Sequence, residues 1–492
     1  RLSSGKRINH AGDDAAGGAI ADRMTAQIKG LNMSVRNASD VLSMAQVAEG
    51  ALDESSKVLQ RIRELAIQSA SDLMNGEERL YLQTEANQLI AELDRVARDT
   101  TFNEIAVLDG TFADRRFQIG SKEREAATVS IGNLRTTAIG NNTVRTTATA
   151  GTSTDNNATA VSLGSADTIA DEDFTIHGLL GSKTIDVVAG STARDVAEAI
   201  NIQFDQTGVS STASTNMKIQ AKGTAGSATL SIGLKGKNST VRTVSAGITL
   251  AAAVGSSDLT GLSNAINAYS AETGIVAVLS ADKATVYLTQ DEGYNIALSD
   301  LDFADTTDDS RDLQVTGMDA RLFDADGSEL LSGSAKTMTD TSHSSGSGKD
   351  AIVGGQVMMH SSHTFTATTT NTDGDLFESS PGSATLNKVS ELSLRTRSKA
   401  IDALKVVDKA LDKVHMERAK LGAVMSRMHQ AIDNLTNVSA NTSSAKSRIV
   451  DADMAAESAE LAKSQVLQQS AMAMIAQASR AQQSILTLLQ GM

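Results

Sequence analysis

The strongest constraint on this chain is a three-four alternation of apolar residues near both of its ends. Near the start it runs through Leu31, Val35, Ala38, Leu42, Ala45, Leu52, Leu59 and Leu65, a period that puts one stripe on one side of an α-helix. Gly76 interrupts it, and Leu80, Leu82, Leu89, Leu93 and Val96 predict a second amphipathic helix ending near Thr100. The helical pattern returns at Leu386, with Leu404, Val407, Leu411, Val414, Leu421, Met428, Ile432 and Leu435 on a matching seam. Two seamed ends pair most economically as an antiparallel, coiled-coil-like bundle. Leu42, Leu52, Leu404, Leu411 and Leu421 are the candidate packing residues. They serve the core of one chain, the contact between copies, or both.

The segments FNEIAVLDGTF, RRFQIG and ATVSIGNL alternate apolar and polar residues between glycines and predict a β-hairpin. From about Ala138 to Ala384 the composition shifts to Thr, Ser, Gly, Asn and Asp, with short runs such as TIDVV, ATLSIGL and ATVYLTQ. This region reads as mainly β with long surface loops, so the fold class is α+β and multidomain. It holds one internal repeat: Ala199-Ile200-Asn201 precedes Thr207-Gly208-Val209, and Ala265-Ile266-Asn267 precedes Thr273-Gly274-Ile275 at the same spacing. With Thr192 and Asp195 as a capping box, each unit reads as strand, short helix, turn, strand.

Residues 464–492 carry a single charge, Arg480, among Gln, Ser, Ala and large apolar residues that include Ile475, Ile485, Leu488 and Leu489. The glutamines argue against a bilayer span, and the lack of basic residues argues against an interfacial membrane helix. What remains is a helix that packs against copies of itself or a partner, because a helix mildly apolar all round needs surroundings on every side.

A net charge of −15 over 492 residues disfavours nucleic acid and anionic membrane as principal partners. There is no cysteine, so disulfides, thiolate metal sites and cysteine nucleophiles are excluded. No tryptophan, 3% aromatic residues and one proline, Pro381, make an aromatic-lined pocket improbable. A chain opening Arg1-Leu2-Ser3 is expected to be processed or incompletely represented, with any export signal in the missing start.

No catalytic constellation emerges, so no enzymatic activity, cofactor or metal is expected. His360-Ser361-Ser362-His363 lacks the Glu and the i, i+4 spacing of a zinc-protease helix. Asp324-Ala325-Asp326-Gly327 reads as a β-turn and not a calcium loop. Gly346-Ser347-Gly348-Lys349 lacks the first half of a P-loop. The density of Ser and Thr in the middle region suits solvated loops or O-linked glycans equally.

RLSSGKRIN with GDDAAG, then AIADRM, RNASD, AQVAEGAL, LQRIRELAIQSA and TTFNEIAVLDG, resembles bacterial flagellin. So do HMERAKLGAVMSRMHQAIDNL, SRIVDADMAAESAELAKSQVLQQ and the LLQGM ending at the other end. The resemblance covers residues 1 to about 135 and 386–492. It implies residues 1–30 as the rest of an N-terminal core arm with its linker, and 31–135 with 386–445 as a helical bundle carrying the hairpin. Residues 136–385 would be the variable outer region and 446–492 an inner-core helix. It further implies a self-assembling filament subunit, exported from the cell, with export apparatus, chaperone, cap and junction proteins as partners. Leu59, Gln60, Arg61, Leu65 and Glu92 match the patch recognised by a vertebrate innate receptor. The alternatives are a hook-filament junction protein, or a filament whose outer region is an adhesin or glycan carrier.

Overall fold

The computed structural model describes residues 2–10, 12–146, 150–151, 173–188, 191–303, 311–323, 329–331, 336–339, 350–369 and 382–490. Its helices are α1 (Ala15–Ser69), α2 (Gly76–Asp99), α3 (Ala193–Ile202), α4 (Phe204–Thr207), α5 (Thr260–Asn267), α6 (Ser270–Thr273), α7 (Arg397–Val450) and α8 (Met454–Gln490). The first helix starts well before Leu31 because Asp14 caps it: Gly17 N donates to Asp14 Oδ1 at 2.8 Å. A Cβ at Gly17 would come within 2.3 Å of Asp14 Oδ2, which gives the second half of GDDAAG its reason. Asn75 and Glu78 form a reciprocal capping box for α2, at 2.8 and 2.9 Å. Asp453 Oδ1 accepts from Ala455 N at 2.9 Å and opens α8.

The seam of α1 keeps the expected period, and Leu31, Ala38, Ala45, Leu52 and Leu59 fall on its buried line as expected. Leu31, Ser34, Ala38, Val41, Ala45, Ala48, Leu52, Ser55, Leu59, Ile62, Ala66 and Ser69 are all buried, in unbroken three-four steps. Val35 and Leu42 flank this line and are half-buried. On α7 the buried line is Ala400, Ala403, Val407, Ala410, Val414, Glu417, Leu421 and Met428, while Leu404 and Leu411 sit half-buried beside it. Small side chains occupy much of both lines, as close approach of two helix backbones requires.

The chain forms two compact units, divided within α1, α2 and α7. One comprises residues 1–53, 98–132 and 416–492. In it α1 and α7 run antiparallel, with Ser439 Oγ 3.0 Å from Asn32 Oδ1 and Arg418 bridging Glu49 and Asp53 at 3.5 and 3.2 Å. Where one hairpin was expected there are two: Thr101–Phe102 pairs Ile105–Ala106, and Arg115–Gln118 pairs Ala126–Val129. Asn37 Nδ2 ties the second hairpin to α1 through Gln118 O at 2.9 Å. The α7–α8 break at Asp451 is held by the N-terminal segment, where Arg7 donates to the carbonyls of Val450 and Ile449 and Ala452 N to Gly5 O.

The other unit comprises residues 54–97 and 133–415. Its helical part buries Leu65, Ala66, Ala86, Leu394, Ala400 and Ala403 together, and Arg63 Nε donates to Asp408 Oδ1 at 2.6 Å. The β part holds three larger sheets, antiparallel in every pairing. The nine-stranded sheet follows the order Val276–Leu279, Thr285–Gln290, Ser210–Lys222, Gln356–Ser361, Gly140–Arg145 and Thr385–Lys388, with Asp312–Phe323 also on Ser210–Lys222. A five-stranded sheet built on Arg242–Leu250, Gly226–Lys235 and Ile296–Phe303 shares its core. A four-stranded sheet around Phe174–His177 packs α3 into a second core.

The two repeat units are the same device built twice. Asn201 at the end of α3 donates to Ser211 O (3.0 Å) and accepts from Ser211 N (2.8 Å), and Asn267 at the end of α5 does the same with Ala277, both at 2.8 Å. Thr207 and Thr273 each bond back four residues at 3.0 Å. Gly208 (φ 72°) and Gly274 (φ 71°) make the left-handed turn after α4 and α6, which favours glycine. The expected capping box of Thr192 and Asp195 opens α3, whereas α5 starts at Leu259 without a side-chain cap.

Candidate self-assembly surface

Helix α8 is about 55 Å long at 1.5 Å per residue, and every residue from Ser458 to Gln482 is exposed. Val466, Leu467, Met472, Met474 and Ile475 are 59–72% exposed. At 3.6 residues per turn these positions spread around the helix and do not gather into one stripe. No helix among the described residues is long and apolar enough to cross a membrane. Burying one such side chain fully is worth roughly 1.5–3 kcal/mol, so covering α8 supplies a substantial drive for association. Ile485, Leu488 and Leu489 lie in the same helix, and their side chains fall outside the described residues.

The seam candidates fall into two environments. Leu52 and Leu421 are 0% and 1% exposed, fully occupied by the chain's own core, and offer no surface to another copy. Leu42, Leu404 and Leu411 are half-buried at the edges of the seam, and Leu404 packs against the Leu65–Ala403 cluster. Leu52 and Leu421 lie on the buried lines themselves, whereas beside Leu404 and Leu411 the line runs through Ala403 and Ala410.

The candidate α1–α2 patch is only partly exposed. Leu59 and Leu65 are 0% and 1% exposed, so neither can be touched from outside the folded chain. Gln60 and Arg61 are exposed and Glu92 is half-buried. Arg61 donates to Glu64 (2.9 Å) and to Glu85 (2.8 Å), which raises its pKa. Glu92 accepts both guanidinium bonds of Arg95, at 2.8 and 2.6 Å.

His360 is buried in the strand Gln356–Ser361, with Nδ1 2.8 Å from Asn141 Nδ2 and Nε2 3.1 Å from Thr212 Oγ1. Burial, with help from Lys405 and Lys409, pushes its pKa down to about 3. His363 instead contacts Ser362 Oγ through Nδ1 at 3.1 Å, so the two histidines have separate partners. No group of three metal-ligating side chains occurs among the described residues. Residues 324–327 and 346–349 lie outside them.

One buried polar seam position escaped sequence reasoning. Glu417 occupies a seam position, is 3% exposed, and accepts from Gly132 N (3.2 Å) and Lys420 Nζ (2.7 Å). A carboxylate falling in phase with Val414 and Leu421 was the available signal.

Paired helical ends, β sheets inserted between them and an apolar-studded helix left uncovered define a subunit made to associate with copies of itself. Comparison with known proteins gives that class its family. The model of the bacterial flagellin N-terminal helical region matches residues 1–113, that of the C-terminal helical region residues 404–489, and the flagellin hook IN motif residues 173–225. A B-type flagellin of Pseudomonas aeruginosa is 35% identical over 489 residues, covering 99% of this chain and 94% of that protein. A flagellin of Salmonella typhimurium is 30% identical over 512 residues, with the same coverage. The chain belongs to the bacterial flagellin family. The backbone of a flagellar junction protein from Legionella pneumophila aligns at 11% identity and TM-score 0.31, covering 87% of this chain and 100% of that one. The matched IN motif is the first repeat unit, and the unit around Asn267 carries the same hydrogen bonds.

Proposed function

We propose that this chain is the repeating subunit of a secreted bacterial flagellar filament, and that α8 is the segment whose burial between copies drives growth. The observation that carries the reading is the exposure of α8 along every described side chain from Ser458 to Gln482. Identical subunits joined by a head-to-tail contact that does not close extend into an open helical tube. Such a tube transmits torque and catalyses nothing. Export apparatus, chaperone, cap and junction proteins are the partners this role requires, and residues 136–385 are the outward-facing region. Recognition of the free chain by an innate receptor would rest on Gln60, Arg61 and Glu92, since Leu59 and Leu65 are buried.

Electron microscopy of full-length protein, dissociated at acid pH and returned to neutral pH with short seed fragments, tests the reading. Long tubes growing from the seeds support it. Discrete particles, or seeds that are capped and do not lengthen, would put the junction-protein reading ahead.

A further inference from the structure

With no cysteine in the chain, its sulfur chemistry rests on 16 methionines. The fold sorts them sharply. Met217, Met338 and Met359 are fully buried in the β part, and Met428 is fully buried on the α7 seam. Met472 and Met474, in the middle of α8, are 65% and 72% exposed. Residues two apart on an α-helix point about 200° from one another, so the two thioethers stand on opposite sides of α8.

A peroxide converts an exposed thioether to a sulfoxide without help from the protein. The sulfur lone pair attacks one peroxide oxygen, an S–O bond forms and the O–O bond breaks. The hydroxide that leaves takes the proton from the new S–OH and departs as water. Sulfur gives up two electrons and the peroxide gains them. The product replaces a soft apolar side chain by a polar one.

We propose that Met472 and Met474 are oxidation sites of the free subunit, and that a sulfoxide at either position keeps that subunit out of the growing filament. This rests on the reading of α8 as the surface buried between copies. On the exposed helix of the monomer a sulfoxide is hydrated, whereas between copies it loses that water. Because the two sulfurs stand on opposite sides, a helix covered all round meets whichever is oxidised. Once covered, both thioethers are shielded, so the oxidant sorts free chains and spares assembled ones. The exclusion is reversible, since a sulfoxide can be reduced back to the thioether.

The test treats full-length monomer with hydrogen peroxide, removes the oxidant and offers the protein to seed fragments, with peptide mass spectrometry locating the added oxygen. Met472 and Met474 are oxidised before Met217, Met338, Met359 and Met428, and the thermal midpoint stays unchanged. Seed lengthening falls about tenfold or more, the loss expected when a polar group is buried without a partner. Methionine sulfoxide reductases acting on both epimers restore growth. The Met472→Leu/Met474→Leu chain, apolar and similar in volume, keeps its untreated rate after the same exposure. Preformed filaments treated alike retain both methionines unmodified. Monomer oxidised at both positions that lengthens seeds at the untreated rate would overturn the proposal, as would an equal loss of growth in the treated leucine variant. Filaments whose Met472 and Met474 oxidise as fast as those of the monomer would show that α8 is not covered, and the reading beneath the proposal would fail with it.

Discussion

Gln83 of α2 takes the place of a neighbouring strand for the backbone at Leu394. Its Oε1 accepts from Leu394 N at 2.5 Å and its Nε2 donates to Leu392 O at 3.2 Å, while Ser69 Oγ donates to Leu394 O at 2.6 Å. Gln83 and Leu394 are 5% and 0% exposed, so water cannot replace these bonds. The segment entering α7 is thereby fixed to α1 and α2 without belonging to a sheet. Gln83→Leu preserves volume and removes both bonds, and it should cost about 1–3 kcal/mol. Chemical denaturation of the monomer would show this as a lower midpoint with unchanged slope.

Glu417 is a charge placed on an otherwise apolar seam. Glu417→Ala strands the Gly132 N–H and opens a void beside it, and should destabilise the chain by about 2–4 kcal/mol. Glu417→Gln keeps an acceptor for Gly132 and should recover more than half of that loss. Thermal unfolding of the two variants side by side measures the difference.

The paired asparagine clamps predict matched effects at distant places. Asn201→Ala and Asn267→Ala each leave a backbone N–H and C=O without their partner, and each should cost about 1–3 kcal/mol. Hydrogen exchange should show new opening at Ser211 in the first variant and at Ala277 in the second. Loss of protection at both sites in either variant would show that the two units do not unfold independently.

Asp94 and His360 both make stability sensitive to acid. Burial raises the pKa of Asp94, but hydrogen bonds and charge from Arg135 and hydrogen bonds from Thr136 outweigh it, and the net shift is downward. Its contribution is present above the ordinary carboxylate range near ~4 and disappears as pH falls through the lower folded value. His360 has a folded pKa of about 3 against ~6.5 unfolded. Stability therefore declines as pH falls through that interval, by up to about 1.4 kcal/mol per unit. His360→Gln should flatten the stability profile between pH ~6 and ~4, and Asp94→Asn should flatten it only below pH ~4.

Much of this architecture was legible because it rests on period and on local chemistry. The three-four repeat gave the helices at both ends, and the αL glycines with their preceding asparagines gave the repeat units. Phase was harder. Large leucines mark a hydrophobic stripe, but packed helices put the smallest residues where backbones come closest, so Ala403 and Ala410 lie on the line and Leu404 and Leu411 beside it. The early start of α1 depended on a cap, Asp14, in a glycine-rich stretch ahead of the first seam residue, Leu31. Leu59 and Leu65 share a helix with Gln60 and Arg61, and only burial separates the residues that face solvent from those that do not. The near-absence of charge after Ser464 was visible directly, and α8 is exposed there through the last described side chain, Gln482.

The most direct test of the account is Ile475→Asp in the full-length protein. Ile475 is 65% exposed in the isolated chain, so the monomer should keep its thermal midpoint, while burial of an unpaired carboxylate between copies should block growth from seeds. A stable monomer that no longer lengthens seeds is the result expected. Filaments that grow at the unsubstituted rate would show that α8 is not the surface through which the subunits join.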